Sequence, residues 1–288
     1  MIFDIRYTTE YRYRGPVIDS MNTLRVRPAT TTTQKRREFT LATTPDVRIV
    51  EYDDYFGTAV HEFEVVQAHR SLTIDVRSQV ETLMPAAPPD PAWQEVGLAA
   101  YRDAGAEFLF AAIPMPSDQQ VDVLAGEVRA LTPLATALAL TELIPERFSY
   151  RRGVTYVGST VDDFLAAGAG VCQDFVHLGL LVLRQLGIAA RYCSGYLFVA
   201  NGANPQSAEV ETHAWLEVLL PTGGGSETWV GLDPTNRGFT GANHVKIGHG
   251  RSYSDVPPIR GMFRGPAGGE LSAKVTMTAV DPAGGQGT

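Results

Sequence analysis

Residues 168–187 read GAGVCQDFVHLGLLVLRQLG and predict a buried helix that begins next to a cysteine. The segment from about Val171 to Leu186 is apolar around most of its circumference, and Gly187 follows where a helix commonly ends. The small residues ahead of the helix permit a tight turn, which places Cys172 in the first helical turn. Amides of the first turn lack intrahelical acceptors and the helix dipole is positive there, so the position favours a thiolate and could also bind an oxyanion.

Two apolar strands further along the chain carry a histidine and an aspartate. They are THAWLEVLLP, residues 212–221, and TWVGLDPTN, residues 228–236, with the glycine-rich turn TGGGSE between them. Such a pattern predicts a β-hairpin. Pairing Val218 with Thr228 brings the apolar faces of the two strands together and sets His213 directly opposite Asp233. A slip of the register by two residues would preserve the same facial match.

Cys172, His213 and Asp233 together form the pattern of an activated cysteine nucleophile. The aspartate would hold one ring nitrogen of the histidine and favour the imidazolium, and the other ring nitrogen would face the sulfur. Taken alone, Cys172 is more simply interpreted as a small buried apolar residue. The joint presence of all three residue types favours nucleophilic chemistry.

Several motifs in this sequence resemble those of the transglutaminase-like superfamily, most closely its bacterial members with a β-rich N-terminal region. The three central motifs are GVCQDFVHLGLLVLRQLGIAARYCSGY, HAWLEV and WVGLDPTN. YTTEYRY, DYFGTAVHEFEV and HVKIGHGRSYSDVPPIRGMF resemble other parts of the same proteins, so the resemblance covers essentially the whole chain. It implies an α+β protein with a papain-like core, in which Cys172, His213 and Asp233 are the catalytic residues.

The resemblance also implies chemistry through a thioester acyl-enzyme. Members of the superfamily include acyl transferases that crosslink glutamine to lysine, and thiol peptidases or amidases. Gln173 follows the cysteine where animal crosslinking enzymes typically carry tryptophan, which favours a cysteine hydrolase of peptide or amide bonds. Protein-glutamine transglutaminase activity and a non-catalytic binding module on the same fold are the alternatives. The expected partner is a peptide or protein substrate.

The change in residue pattern along the chain predicts two domains. Short strand-like runs rich in β-branched and aromatic residues occupy residues 1–85 and predict an antiparallel β-sandwich. The proline-rich segment PAAPPDPAW at residues 85–93 predicts a linker. The catalytic core is expected over 86–280, with helical patterns first and a last strand at SAKVTMTAV, and residues 281–288 are expected to be a disordered tail.

The composition of the chain limits which classes of partner and which cellular compartment we expect. The 288 residues carry a net charge of −8, which argues against a nucleic-acid partner. The N-terminus lacks the apolar segment of a signal peptide, and no uncharged run is long enough to span a membrane. Two cysteines are too few for a disulfide framework, so a cytoplasmic protein is the expectation.

Further residues near the motifs receive more ordinary interpretations. Trp215 is predicted either to line the substrate groove or to pack beneath it. Cys193 and His177 are predicted to be structural, and Asp174 to cap the helix. No metal or other cofactor is expected, because the cysteine and histidine spacing matches no zinc pattern. His244, in a glycine-rich stretch, is predicted to be a loop residue, with a place at the border of the cleft as the alternative.

Overall fold

Strands, nearly all of them antiparallel, are the commonest element of the computed structural model, which describes residues 1–110, 112–116, 119–200, 206–266 and 268–280. The predicted tail at 281–288 lies outside the described residues. In chain order the strands are β1 (Ile2–Leu24), β2 (Gln34–Thr44), β3 (Ile49–Asp53), β4 (Ala59–Val65), β5 (His69–Thr82), β6 (Ser149–Tyr150), β7 (Ala169–Gly170), β8 (Ala190–Leu197), β9 (Ser207–Val210), β10 (Thr212–Gly223), β11 (Ser226–Asp233), β12 (Gly238–Phe239), β13 (His244–Gly250), β14 (Ile259–Arg264) and β15 (Gly269–Val280).

The N-terminal strands form an antiparallel sheet around the long strand β1. The first half of β1 pairs with β5 and β15, and the end of β1 near Leu24 pairs with β4 and β14. Apolar side chains from both halves, among them Phe3, Leu24 and Phe63, meet in one core. The predicted antiparallel β structure is therefore confirmed, and its two ladders join into a single eight-stranded sheet because β1 belongs to both.

The N-terminal sheet also includes strands from the second half of the chain. β15 pairs with β1 from Ile2 opposite Val280 to Tyr13 opposite Gly269, and β9 pairs with the other edge of β15. The sheets therefore do not follow the predicted division into 1–85 and 86–280. Alternation of apolar residues identifies β15 as a strand but carries no information about which sheet it joins.

The helices lie in the middle of the chain, as their sequence pattern predicts. The helix with Cys172 begins and ends as expected, since Gly187 follows it with a φ of +79°. Thr160 caps its helix by accepting a hydrogen bond from the Asp163 amide at 3.2 Å. No helix among the described residues is long and apolar enough to cross a membrane. The helices are α1 (Trp93–Val96), α2 (Ala99–Ala104), α3 (Ala106–Leu109), α4 (Gln120–Val128), α5 (Pro133–Arg147), α6 (Val161–Ala167) and α7 (Cys172–Gln185), with a short 3-10 helix at Tyr253–Asp255.

A second sheet, with the order β12-β11-β10-β8-β13, supports α7. Leu178 and Val182 of α7 share a buried core with Leu216 and Val218 of β10. Gly179 permits this close approach, since a Cβ there would lie 2.8 Å from the side chain of Leu216. The predicted α+β class is confirmed, and this packing holds α7 against the strand that carries His213.

A buried ion cluster ties three strands of this sheet together. The same carboxylate oxygen of Glu217 on β10 lies 2.6 Å from Arg191 on β8 and 2.6 Å from Lys246 on β13. Burial alone would raise the pKa of Glu217, but the two cations outweigh it and hold the pKa far below its ordinary range. The carboxylate therefore stays charged wherever the protein is folded near neutral pH.

Replacing Glu217 by alanine is expected to lower the free energy of unfolding by about 3–5 kcal/mol, because two buried cations lose their counterion. Urea unfolding followed by circular dichroism measures the loss. The matched control is Glu142→Ala, whose side chain is 54% exposed and whose loss should cost no more than about 0.5 kcal/mol. Equal stability losses in the two variants would contradict the stabilising role of the cluster.

Candidate active site

Cys172 is the first residue of α7 and is half-buried. Asp174 closes the start of the helix, because its Oδ2 accepts hydrogen bonds from the Val171 amide at 2.8 Å and from the Thr155 hydroxyl at 2.7 Å. The predicted capping role of Asp174 is confirmed. Cys172 thus lies at a rigid helix N-terminus, where the free amides and the dipole favour negative charge.

The predicted register of the β10–β11 hairpin is wrong by two residues. Val218 faces Val230, and Leu216 faces Leu232. The slip keeps the apolar faces together, so the alternation of residue types cannot distinguish the two registers. His213 therefore lies diagonal to Asp233 rather than opposite it. The contact forms nonetheless, with His213 Nε2 2.7 Å from Asp233 Oδ2.

Asp233 is 1% exposed on its side chain and is surrounded by donors. Its Oδ1 accepts from the amides of Thr235 and Asn236 at 2.9 and 3.2 Å, and its Oδ2 also accepts from the Asn236 side chain at 2.7 Å. Burial alone would raise the pKa of Asp233, but the hydrogen bonds from His213, His244 and Asn236 outweigh it and depress that pKa strongly. The carboxylate is held charged and in one orientation.

His213 is held as an imidazolium near neutral pH. Burial lowers its pKa, but hydrogen bonds to Asp233 and to Cys172 outweigh that effect and raise the pKa to about 9. Because Nε2 contacts Asp233, Nδ1 is the ring nitrogen left to face the sulfur. The predicted thiol, imidazole and carboxylate are thus brought together in the predicted order.

A second imidazole, that of His244, completes the group, and the sequence interpretation missed it. His244 is the first residue of β13, so its prediction as a loop residue is wrong. Its Nε2 lies 3.1 Å from the same Asp233 oxygen that contacts His213. The alternation of polar and apolar residues in HVKIGHG is the signal that could have identified β13 as a strand.

Trp215 lies on the His213 face of β10 but is only 2% exposed. Its ring lies 6.2 Å from that of His213 and 5.4 Å from that of His244, centroid to centroid. Gly195 makes room for it, since a Cβ there would lie 2.6 Å from the indole. Of the two predicted roles for Trp215, the burial favours packing beneath the site over direct contact with substrate.

The other cysteine and a third histidine of this region are structural. Both cysteines are free, and burial raises the pKa of Cys193 to about 12. Burial lowers the pKa of His177 to about 4, and its Nε2 accepts a hydrogen bond from the Tyr253 amide at 3.2 Å. These observations agree with the structural roles predicted for Cys193 and His177.

In the described part of the chain, one group of three or more possible metal-ligand residues has its ligand atoms within 4.8 Å of one another, and it consists of His213, Asp233 and His244. Each of these atoms is already engaged, because both Nε2 atoms lie at hydrogen-bond distance from Oδ2. We therefore describe the group as a hydrogen-bonded network and assign no metal to it.

Cavities open on two sides of this network. One of about 430 Å³ reaches His213 and is lined by Tyr150, Arg152, Glu211 and Lys274, among others. Another of about 440 Å³ reaches His244 on the side of the buried ion cluster. The first cavity is the candidate substrate site, because it is lined by His213, the residue whose imidazole also contacts the Cys172 thiol.

The fold and the site together define a class of α+β proteins. In this class a thiol at a helix N-terminus faces an imidazole, and a carboxylate holds that imidazole in place. Residues 3–81 match the bacterial transglutaminase-like N-terminal region, and residues 123–234 match the transglutaminase-like superfamily. A protein of Mycobacterium leprae without assigned function is 33% identical over 278 residues, covering 95% of this chain and 97% of its own length. The chain belongs to the transglutaminase-like superfamily, as its motifs predict.

Two further proteins are similar to this chain. A Cytophaga hutchinsonii structure, described as a candidate cysteine protease, superposes with a TM-score of 0.74 at 24% identity and covers 98% of this chain and 92% of that chain. It supports the fold of the whole chain. A protein-glutamine gamma-glutamyltransferase of Pseudomonas aeruginosa is 30% identical over 170 residues, which is 53% of this chain and 24% of that protein.

Proposed function

We propose that this protein is a thiol-dependent hydrolase of peptide or amide bonds that acts through Cys172, His213 and Asp233. The observation that carries the proposal is the contact of 2.7 Å between His213 Nε2 and the buried Asp233 carboxylate, which leaves Nδ1 for the sulfur. Family membership supports a cysteine-based reaction.

In the first half of the reaction, the Cys172 thiolate attacks the carbonyl carbon of the substrate. Amides of the first turn of α7 stabilise the oxyanion, since helix N-terminal N–H groups lack intrahelical acceptors. The carbon–nitrogen bond then breaks, and the His213 imidazolium gives its Nδ1 proton to the leaving amine. A thioester on Cys172 and a neutral His213 remain.

In the second half, the neutral His213 takes a proton from water as the water oxygen attacks the thioester carbonyl. The carbon–sulfur bond breaks, a carboxylic acid is released, and the thiolate–imidazolium pair is restored. A primary amine in place of water would form a new amide by the same steps. The enzyme would then act as a transglutaminase.

Transglutaminase activity is the second candidate, and the similarity to the Pseudomonas aeruginosa protein-glutamine gamma-glutamyltransferase favours it. Gln173 beside the nucleophile, where animal crosslinking enzymes carry tryptophan, favours hydrolysis. The cavity at His213 is lined by both Arg152 and Glu211, so charge alone does not select the acceptor.

Incubation of the protein with dimethylated casein and a fluorescent primary amine distinguishes the candidates. Hydrolysis predicts ammonia or peptide fragments without incorporated amine, whereas a transglutaminase would attach the amine to glutamine. Cys172→Ala serves as the blank. Absence of all products, together with a Cys172 thiol that reacts no faster than a free thiol, would leave the non-catalytic binding module.

A further inference from the structure

His244 is the one residue of the hydrogen-bonded network that has no role in the proposed reaction. It lies on β13, whereas His213 lies on β10 and Asp233 on β11. Its side chain is 11% exposed, and its Nε2 lies 3.1 Å from Asp233 Oδ2. Three strands of one sheet thus converge on a single carboxylate oxygen.

The hydrogen bonds of His244 fix which of its nitrogens carries the proton. The Gly241 amide donates to its Nδ1 at 3.1 Å. A backbone amide only donates, so Nδ1 must accept and carries no proton. The proton of the neutral ring is therefore on Nε2, which donates to Asp233. The backbone amide of His244 also donates to the Gly241 carbonyl at 3.0 Å, so the ring is held at a closed turn.

The two carboxylate oxygens of Asp233 accept hydrogen bonds from different sets of donors. Oδ1 is held by the amides of Thr235 and Asn236, which belong to the same turn. Oδ2 receives His213, His244 and the Asn236 side chain. Of these three donors to Oδ2, only His244 comes from a strand outside the hairpin and its following turn, so it anchors the carboxylate to the far side of the sheet.

We propose that His244 is a positioning residue, which as a neutral donor to Asp233 Oδ2 holds that carboxylate in the orientation that keeps His213 facing Cys172. The inference rests on the proposed function, since positioning matters only if His213 activates the thiol. His244 acts through Asp233 and makes no contact with the substrate. Its removal lets the carboxylate turn away from His213, which weakens the thiolate–imidazolium pair.

Other charged groups also face His244 and affect any measurement against pH. Asp233 and His213 face it from β11 and β10, and the ring of Trp215 lies against it edge-on. The cavity that reaches His244 is also lined by Arg191, Glu217, Glu227 and Lys246. Arg191 and Lys246 pair with Glu217 in the buried ion cluster. None of the variants proposed below replaces a residue of that cluster, so its charges are unchanged in all of them.

The test is the rate of Cys172 alkylation by iodoacetamide as a function of pH, which needs no substrate. His244→Phe keeps a flat ring but removes the donor. We expect the pH of half-maximal rate to rise by about one unit, because one hydrogen bond to a charged group is worth about a tenfold change in equilibrium. His244→Gln, whose amide can donate to the carboxylate, should restore the profile to within about half a unit.

His249→Phe is the matched control, since His249 lies on the same strand and its ring packs near Phe56 and Phe108. Its profile should equal that of the wild type. A folded His244→Phe variant with the wild-type profile, or a His244→Gln variant as impaired as His244→Phe, would overturn the inference. If the wild-type thiol itself reacts no faster than a free thiol, the proposed function fails instead.

Nitrogen-15 NMR of the wild-type histidines tests the inference without any variant, in case His244→Phe does not fold. The proposal predicts a neutral His244 ring at about pH 7 with its proton on Nε2 and an unprotonated Nδ1. A proton on Nδ1 of His244 under the same conditions would contradict it.

Discussion

Replacing Cys172 by alanine is expected to abolish acyl transfer, with a loss of at least about 10³-fold in whichever product the wild type forms from casein. The reason is that the thioester can form on no other described thiol, because Cys193 is completely buried and its thiol stays protonated near neutral pH. Mass spectrometry of acid-quenched reactions should find the acyl group on the Cys172 peptide and nowhere else.

Cys193→Ala is the matched control for this prediction. It removes the other cysteine of the chain and should leave the rate per folded molecule within a few-fold of the wild type. Activity that survives in Cys172→Ala, or an acyl group found on a different side chain, would show that Cys172 is not the nucleophile.

Replacing Asp233 by asparagine is expected to lower activity by about 10²- to 10⁴-fold, because His213 loses the carboxylate that keeps it charged and oriented. Burial still lowers the pKa of His213 in this variant and only the contact with Cys172 still raises it, so that pKa should fall from about 9. Titration of the histidine signals by NMR measures this shift directly. Asp46→Asn, at an exposed position, is the control and should leave the His213 titration unchanged.

The same pair predicts how stability depends on pH. Because folding raises the pKa of His213, its stabilising contribution is fully present below about pH 6.5 and is lost as the pH rises through about 9. Asp233→Asn should weaken this dependence, because only the contact with Cys172 then still raises the pKa of His213. A His213 titration that is the same in Asp233→Asn and in the wild type would contradict the pairing.

The sequence predicts the helix that carries Cys172 almost to the residue, because two independent signals agree there. The apolar circumference of α7 requires burial, and Asp174 and Gly187 supply the cap at one end and the left-handed residue at the other. The faces of β10 and β11 were equally predictable, since the alternation of residue types places His213 and Asp233 on the same side of the sheet. The helix start and this shared face together explain why the three predicted catalytic residues meet in the structure.

Register and sheet membership could not be predicted, because both depend on contacts between distant segments. The two-residue slip between β10 and β11 leaves every apolar side chain on the same face. Likewise, the alternation in β15 does not reveal that it pairs with β1 at the opposite end of the chain. His244 was missed for a related reason, since its importance comes from the strand β13 lying beside β8 and from the carboxylate that this brings close.

The most direct test of the central claim, that His213 holds Cys172 as a reactive thiolate, is the alkylation rate of both cysteines in the wild type and in His213→Ala. At about pH 6.5 a free thiol is about 1% ionised, so a thiolate–imidazolium pair should make Cys172 react about 10- to 100-fold faster than a free thiol. Cys193 should remain unreacted, and His213→Ala should reduce Cys172 to the free-thiol rate. A Cys172 rate that is no faster than that of a free thiol in the wild type, or that is unchanged in His213→Ala, would contradict the claim.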